Sequence, residues 1–457
     1  MRAPTFWTVA RIADALRDES TGAIPRDDRP IARITTDTRR IAPGECFLAL
    51  IGEKYDAHDF LREAIELGAT AVVVSRPGRT AGLGVPVFTV RDTLTALGAL
   101  ARYRRRAWNG TVIGVGGSNG KTTTKELLRA TLGACFTVHA TAGNLNNLIG
   151  VPLTLLAMPD EADVAVIEMG MNVPGEMARL RGIVEADIAV LTSVSEEHLE
   201  GLGSLEGVMR EESEIFVGAK IAVVPASQPE IAAAAQGRAA RVVSAGLDSG
   251  DVRASRWRVD ADGLGEIEIE GVTVHPPARG THNLRNAMLA LAVARELGMS
   301  MADAARGVSR ATFPSMRMEM APIGKGRATL INDAYNASPA SMRAAIEMLA
   351  GAGAGRQRVA VLGTMRELGT HAPRLHEEVA RAALASPVEI VAGMGEIGEA
   401  LRSVGSGDSR VVVGGDVDEL WAALEPRLAA DAVILLKASR GVKLERLIPP
   451  LTEWANR

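Results

Sequence analysis

The chain has 457 residues, of which 47% are apolar but only 3% aromatic, and it carries a formal net charge of -4. That length suits about three domains, and a composition rich in Ala, Val, Leu and Gly suits α/β folds with buried strands and small-residue helix faces. Acidic and basic residues are mixed along the chain and no run of about eighteen apolar residues occurs, which excludes a field for nucleic acid and a membrane-inserted segment.

In chain order, the first 109 residues predict a small mixed unit. It has a helix around Val9 to Arg17, a strand from Cys46 to Ile51, a helix from Phe60 to Leu67 and a strand from Ala71 to Ser75. Cys46 and Cys135 are the only cysteines, which favours a reducing compartment, the cytoplasm. The start of the chain lacks the apolar stretch of a leader. Arg102, Arg104, Arg105 and Arg106 close a helix just before residue 110 and predict a solvated domain edge.

The segment Val112 to Leu128, VIGVGGSNGKTTTKELL, runs an apolar strand into glycines, a lysine, a hydroxyl and a helix. Gly116, Gly117, Ser118, Asn119 and Gly120 predict a loop whose backbone N–H groups turn toward phosphate oxygens, at a helix N-terminus whose dipole favours anions. Lys121 is placed to neutralise β and γ phosphates and Thr122 to meet Mg²⁺. The strict phosphate-loop spacing puts a glycine where Val115 stands, so the loop is a short variant. Such a loop serves kinases, switches, motors and ligases alike.

Apolar runs from Asp163 to Glu168, Ile188 to Val194 and Ala219 to Val224 predict parallel strands, at whose carboxyl ends ligands gather. Glu168 and His198 lie at two such ends, and Glu168 has the hard oxygen chemistry that suits Mg²⁺. Residues 238–274 alternate and predict an antiparallel insertion, and a helix from Asn283 to Leu297 ends at Gly298. A last α/β unit begins at Thr312, with strands Ala328 to Ile331, Arg358 to Leu362 and Ala432 to Leu436 and helices Ser341 to Leu349 and Leu375 to Leu384. The expected domains are 1–109, 110–311 and 312–457.

Beyond the loop, the chain carries Gly143-Asn144-Leu145-Asn146-Asn147, Asn172-Val173-Pro174-Gly175-Glu176, His198-Leu199-Glu200-Gly201, Gly280-Thr281-His282-Asn283 with Asn286, and Asp333-Ala334-Tyr335-Asn336-Ala337-Ser338-Pro339. Thr36-Asp37-Thr38-Arg39, Phe47 and Tyr55-Asp56-Ala57-His58-Asp59-Phe60 precede them. In this order, over almost the whole chain, these segments resemble the ATP-dependent Mur ligase family. The Asp333 segment and Leu436-Lys437-Ala438-Ser439-Arg440 are similar to the branch that adds D-alanyl-D-alanine to UDP-N-acetylmuramoyl-tripeptide.

The resemblance implies a small mixed α/β domain for the UDP sugar, a central parallel-sheet domain of the phosphate-loop type for ATP, and a C-terminal Rossmann-like α/β domain. It implies amide formation through an acyl phosphate with release of ADP, for peptidoglycan synthesis. Lys121 is then the phosphate lysine, and Thr122, Glu168 and His198 hold Mg²⁺. Asn286 faces adenine, and Arg317 and Asp333 close over the nucleotide. Thr38, Arg39, Phe47, Asn144, Tyr335, Asn336 and Ser338 are the candidate substrate contacts. A monomer is expected.

Departures from the family are Val173, Ala57, Thr364, Ala438 and one position with mechanistic weight. Glu212 occupies the place of a carbamoylated lysine that binds a second Mg²⁺ in relatives, so its own carboxylate is expected to replace the carbamate. Alternative readings are a relative with another amino acid or depsipeptide acceptor, and a nucleotide-binding switch, kinase or paralogue that makes no amide.

Overall fold

The computed structural model describes residues 5–25, 27–353 and 355–457. These form two compact units, one made of the chain up to Val112 with His139–Met169 and Ala178–Ala186, the other of Ile113–Val138, Gly170–Met177 and Asp187–Arg457.

In the first unit, strands Ile34–Thr35, Cys46–Leu48, Ala71–Val74 and Val87–Thr89 lie side by side in that order, all parallel. Side chains alternate between the faces with the period-two geometry of a strand. Cys46, Leu48, Val73 and Phe88 pack against Leu97 and Leu100 of the helix Thr93–Ala107. Phe47, Val72 and Val74 pack the other way against Leu61, Ala64 and Leu83. The predicted helices at Val9 and Phe60 appear as Val9–Ala15 and Leu61–Glu66.

The arginine run departs from its expected solvated face. Arg104 is buried, with its guanidinium donating to the Met158 carbonyl at 2.8 Å, pairing with Asp160 and lying over the Phe6 ring. Arg102 and Arg106 both meet Glu185, each at 2.7 Å. One helix end therefore ties three separated segments of this unit together.

The strand Thr111–Gly116, which belongs to the second unit from Ile113 on, pairs there in parallel with Ile188–Leu191, followed outward by Ile221–Pro225, Arg241–Gly246 and Val252–Arg253. The expected antiparallel insertion is therefore smaller than its sequence pattern. Residues 241–253 extend the parallel sheet, and only Arg256–Val259, Gly265–Ile269 and Val272–Val274 form an antiparallel meander. Alternation in 241–246 reports a strand near a sheet edge with one wetter face, a pattern that sequence alone does not distinguish from a hairpin.

The C-terminal sheet has six strands in the order Glu319–Ile323, Ala328–Asp333, Val433–Lys437, Arg358–Leu362, Ile390–Met394 and Val411–Gly414. Only the first pair is antiparallel. Ala328, Val359, Val361, Ile434 and Leu436 build its core. The sequence reading lacked the edge strand Glu319–Ile323, where Pro322 and exposed positions break the apolar run, and it lacked the strands at Ile390 and Val411. Among the described residues, no helix is long and apolar enough to cross a membrane.

Candidate active site

The phosphate-type loop sits between the strand Thr111–Gly116 and the helix Lys121–Leu132. Two of its glycines are required by backbone and by space. Gly117 has φ +121° and a Cβ there would meet Thr192 Oγ1 at 2.3 Å; Gly120 has φ +86° and a Cβ there would meet the Asn286 amide at 2.8 Å. No side chain caps the helix start. Its first turn is the positive end of twelve residues of aligned dipoles.

The loop is held by the end of the neighbouring strand. Ser118 N–H donates to the Ser193 carbonyl at 2.7 Å, Asn119 N–H to Ser193 Oγ at 3.0 Å, and Thr192 Oγ1 to the Asn119 carbonyl at 2.6 Å. Asn119 Nδ2 donates to Ser195 Oγ at 2.8 Å. Gly117 N–H donates to Glu212 Oε2 at 2.9 Å. The N–H groups of Gly117, Ser118 and Asn119 are thus engaged by protein oxygens. These contacts set the shape of the loop's first half, and the positive helix end at Lys121 and Thr122 is the end whose dipole suits an anion. The strand ends at Leu191, short of the expected Val194, and the two hydroxyls of Thr192 and Ser193 directly after the apolar run are the sequence signal for this role.

Around this loop stand two acids and two bases. Lys121 Nζ rests on the Gly117 and Ser118 carbonyls and lies 3.6 Å from Glu197 Oε1. Glu197 and Glu212 are both buried, and Oε1 of each has no hydrogen-bond partner. Burial pushes the Glu212 carboxyl up to about 7; Lys121 opposes this, Glu197 adds to it, and the Gly117 N–H and His198 oppose it. Burial likewise raises Glu197 against the pull of Lys121 and His198. Burial works against charge on His198, but the hydrogen bond with Glu367 and the nearby Glu197 prevail and raise it.

The neighbours of Glu212 separate it from ordinary helix glutamates. Glu211 Oε1 accepts the Met177 N–H at 2.9 Å and Glu214 pairs with Arg238 at 2.8 Å. Both are structural. The sequence signal for Glu197 is its place beside His198, at the polar end of the strand Ile188–Leu191.

Other candidates lie elsewhere in the same unit. Asn286 donates to Asn283 Oδ1 at 3.1 Å and borders Gly120, so it stands at the helix start of the phosphate loop. Ser338 caps the helix Pro339–Gly351 and donates to Asn119 Oδ1 at 2.8 Å, which spends its hydroxyl on structure. Arg317 stacks over Tyr335 at 4.2 Å, and Asp333 pairs with buried Lys437 at 2.6 Å, which also donates to the Asn336 carbonyl at 3.0 Å.

The first unit carries the rest. Asn146 donates to Glu168 Oε1 at 2.9 Å, and Glu168 N–H donates to Thr141 Oγ1 at 2.9 Å. Thr38 opens a short turn capped by Asp37, to which Arg39 is paired at 2.8 Å; Asn144 is exposed. Phe47 is corrected from a substrate contact to a core residue: it is fully buried under a sheet covered on both faces.

His282 lines a cavity of about 200 Å³ with Asp260, Gly263, Arg285 and Met348. Burial pushes its pKa down from the ordinary 6.5 to about 4, with Lys437 and Arg285 adding to the effect and Asp333 opposing it. The folded state thus refuses a proton that the unfolded chain accepts. Full stability is present above 6.5 and is lost as pH falls from 6.5 toward 4, by no more than about 3 kcal/mol. Thermal melts across that window are expected to fall more steeply for the natural chain than for His282→Gln.

The arrangement can hold a polyphosphate at the helix start and neutralise it with Lys121. The donor set fits Mg²⁺: a hydroxyl at Thr122 and the buried Glu212 carboxylate, whose Oε1 has no hydrogen-bond partner. Among the described residues no group of three or more His, Cys, Asp and Glu gathers as a ready cage. Magnesium ordinarily takes one or two carboxylates and fills its shell with water and phosphate oxygens.

Three family profiles match the chain: the Mur ligase family catalytic domain over residues 30–105, the Mur ligase middle domain over 115–294, and the Mur ligase glutamate ligase domain over 316–440. The UDP-N-acetylmuramoyl-tripeptide--D-alanyl-D-alanine ligase of Bacillus subtilis is 35% identical, with 98% of each chain covered. The crystal structure of MurF from Acinetobacter baumannii aligns with a TM-score of 0.88 at 31% identity, covering 99% of this chain and 100% of that one. MurF ligase from Thermotoga maritima in complex with ADP aligns with a TM-score of 0.82 at 29% identity, covering 93% of this chain and 97% of that one.

Proposed function

Since this chain belongs to the Mur ligase family, we propose that it joins D-alanyl-D-alanine to UDP-N-acetylmuramoyl-tripeptide with ATP, giving UDP-N-acetylmuramoyl-pentapeptide, ADP and phosphate. The observation that carries this reading is the gathering of Lys121, His198 and Glu212 around one glycine loop, in a chain that matches such ligases from end to end. A nucleotide switch or kinase has no use for the matched N-terminal domain. The domains are assigned as 1–109, 110–311 and 312–457, all on one chain, and the reaction is placed in the cytoplasm.

A carboxylate is a poor electrophile, so amide formation in water needs activation. The tripeptide carboxylate takes the terminal phosphoryl group of ATP, and the dipeptide amine then displaces phosphate from the acyl phosphate. Lys121 neutralises charge on the phosphates while the helix start orients them, so placement and electrostatics supply most of the acceleration. Bound Mg²⁺ polarises phosphoryl oxygens and screens their charge. Thr122, His198 and Glu212 would hold it, with Glu212 bringing a carboxylate of its own, and Glu168 is the further carboxylate that the family resemblance implies. Asn286 orients the adenine, Arg317 and Asp333 border the nucleotide, and Thr38, Arg39 and Asn144 lie on the side of the UDP sugar. Tyr335 and Asn336 position the incoming dipeptide.

Incubation of the purified protein with Mg-ATP, UDP-N-acetylmuramoyl-tripeptide and D-alanyl-D-alanine is expected to yield the pentapeptide by mass spectrometry, with one ADP per bond. ATP hydrolysis without dependence on both peptide substrates would overturn the reading in favour of a nucleotide-binding relative.

A further inference from the structure

We propose that Glu367 is a positioning residue for His198, fixing which ring nitrogen faces the phosphate loop. Its carboxylate Oε2 lies 2.5 Å from His198 Nδ1, although the two residues are 169 apart in sequence. The opposite ring nitrogen, Nε2, lies 3.9 Å from Glu197 Oε1, the same oxygen that Lys121 Nζ approaches at 3.6 Å. A proton held on Nδ1 by a carboxylate leaves Nε2 as the lone-pair side, turned toward the loop, which is how a carboxylate behind a histidine sets its tautomer and strengthens it as a ligand.

The backbone supports this assignment independently. His198 and Glu367 both adopt the left-handed conformation, at φ +52° and +64°, which L side chains rarely take. Two such residues facing each other across one hydrogen bond mark a contact held in place by its surroundings. Those surroundings are present: Glu200 N–H donates to the Glu367 carbonyl at 3.1 Å, the His371 ring meets the Gly203 carbonyl at 3.2 Å, and a Cβ on Gly369 would press on the Glu200 backbone at 3.0 Å. The segment after the C-terminal strand Arg358–Leu362 is thereby docked on the turn that carries His198. The histidine is oriented only when that segment is in place, so readiness of the site depends on docking of the C-terminal sheet's loop.

This inference rests on the ligase reading for its consequence but not for its first test. In the nucleotide-free full chain labelled with ¹⁵N-histidine, at a pH where the ring is neutral, His198 is expected as the Nδ1–H tautomer, assigned by its loss in His198→Gln. Glu367→Gln keeps an acceptor and is expected to keep that tautomer. Glu367→Ala and the bulkier, acceptor-free Glu367→Leu are expected to shift His198 toward Nε2–H. In the ligase assay the same two variants are expected to lose about 10–100-fold in kcat, with KM for D-alanyl-D-alanine little changed and partial rescue by Glu367→Asp. A natural chain already in the Nε2–H form, or Nδ1–H retained in both acceptor-free variants, overturns the proposal. A tautomer shift in a protein that makes no amide leaves this proposal standing and removes the ligase reading instead.

Discussion

Replacing Lys121 by alanine is expected to lower ligase turnover by about 10²–10³-fold or more, the cost of deleting one preorganised charge from a site that stabilises a phosphoryl-transfer transition state. The structure gives a reason for the upper end. Glu197 and Glu212 are buried beside the loop, and Lys121 is the charge that most opposes the effect of burial on both. Without it, an incoming triphosphate meets two acids with less to offset them, so KM for ATP rises as kcat falls. The side chain also rests on two loop carbonyls and lies 3.6 Å from buried Glu197, so a melting curve of the alanine variant separates lost chemistry from lost fold. Lys121→Arg is expected to rescue poorly, because a planar fork does not replace a compact ammonium in this space. Steady-state ADP release, coupled to pentapeptide formation, measures both parameters. Turnover of the alanine variant within tenfold of the natural chain would remove Lys121 from the chemistry.

The second large effect concerns Glu212. Substitution by alanine is expected to cost about 10²-fold in turnover, and substitution by glutamine nearly as much, since glutamine keeps the shape but not the charge that a divalent cation requires. The case rests on placement. Glu212 ends the helix Leu205–Glu212 fully buried, with one oxygen accepting the Gly117 N–H and the other without a partner. A buried carboxylate left half satisfied is costly, and such a group persists where something else completes it. If its own carboxylate does the work of a carbamate, stripping bicarbonate from the assay leaves the natural enzyme unchanged, whereas Glu212→Lys should become active only when bicarbonate is supplied. Turnover that collapses without bicarbonate in the natural chain, together with full activity of Glu212→Ala, would sink the idea.

Legibility of the site in the sequence follows a physical division. The glycine loop was legible because strand, turn and helix start are adjacent in the chain, and local spacing fixes what they can bind. Glu212 was legible as a departure from a family position, yet its burial was not, since Glu211, Glu212 and Glu214 have the same chemistry and differ only in what the fold sets beside them. Phe47 was misplaced for the matching reason: an aromatic beside substrate-type motifs carries no mark of which face of a parallel sheet it enters. Glu197 and Glu367 left no signal that spacing could reveal.

Sequence by itself determined the α/β class, the glycine turn that leads from a strand into the helix at Lys121, and the family, because each depends on local periodicity, on backbone freedom at glycine, or on ordered motifs over the whole chain. Tertiary structure alone decided that Thr192 and Ser193 hold the loop, that Arg104 is buried, that Glu197 and Glu212 share one environment, and that Glu367 reaches His198. Those outcomes are contacts between residues far apart in the chain. They depend on which side chains the packed sheets bring within hydrogen-bond reach and on how much water is excluded there, and neither is encoded in the spacing along one segment.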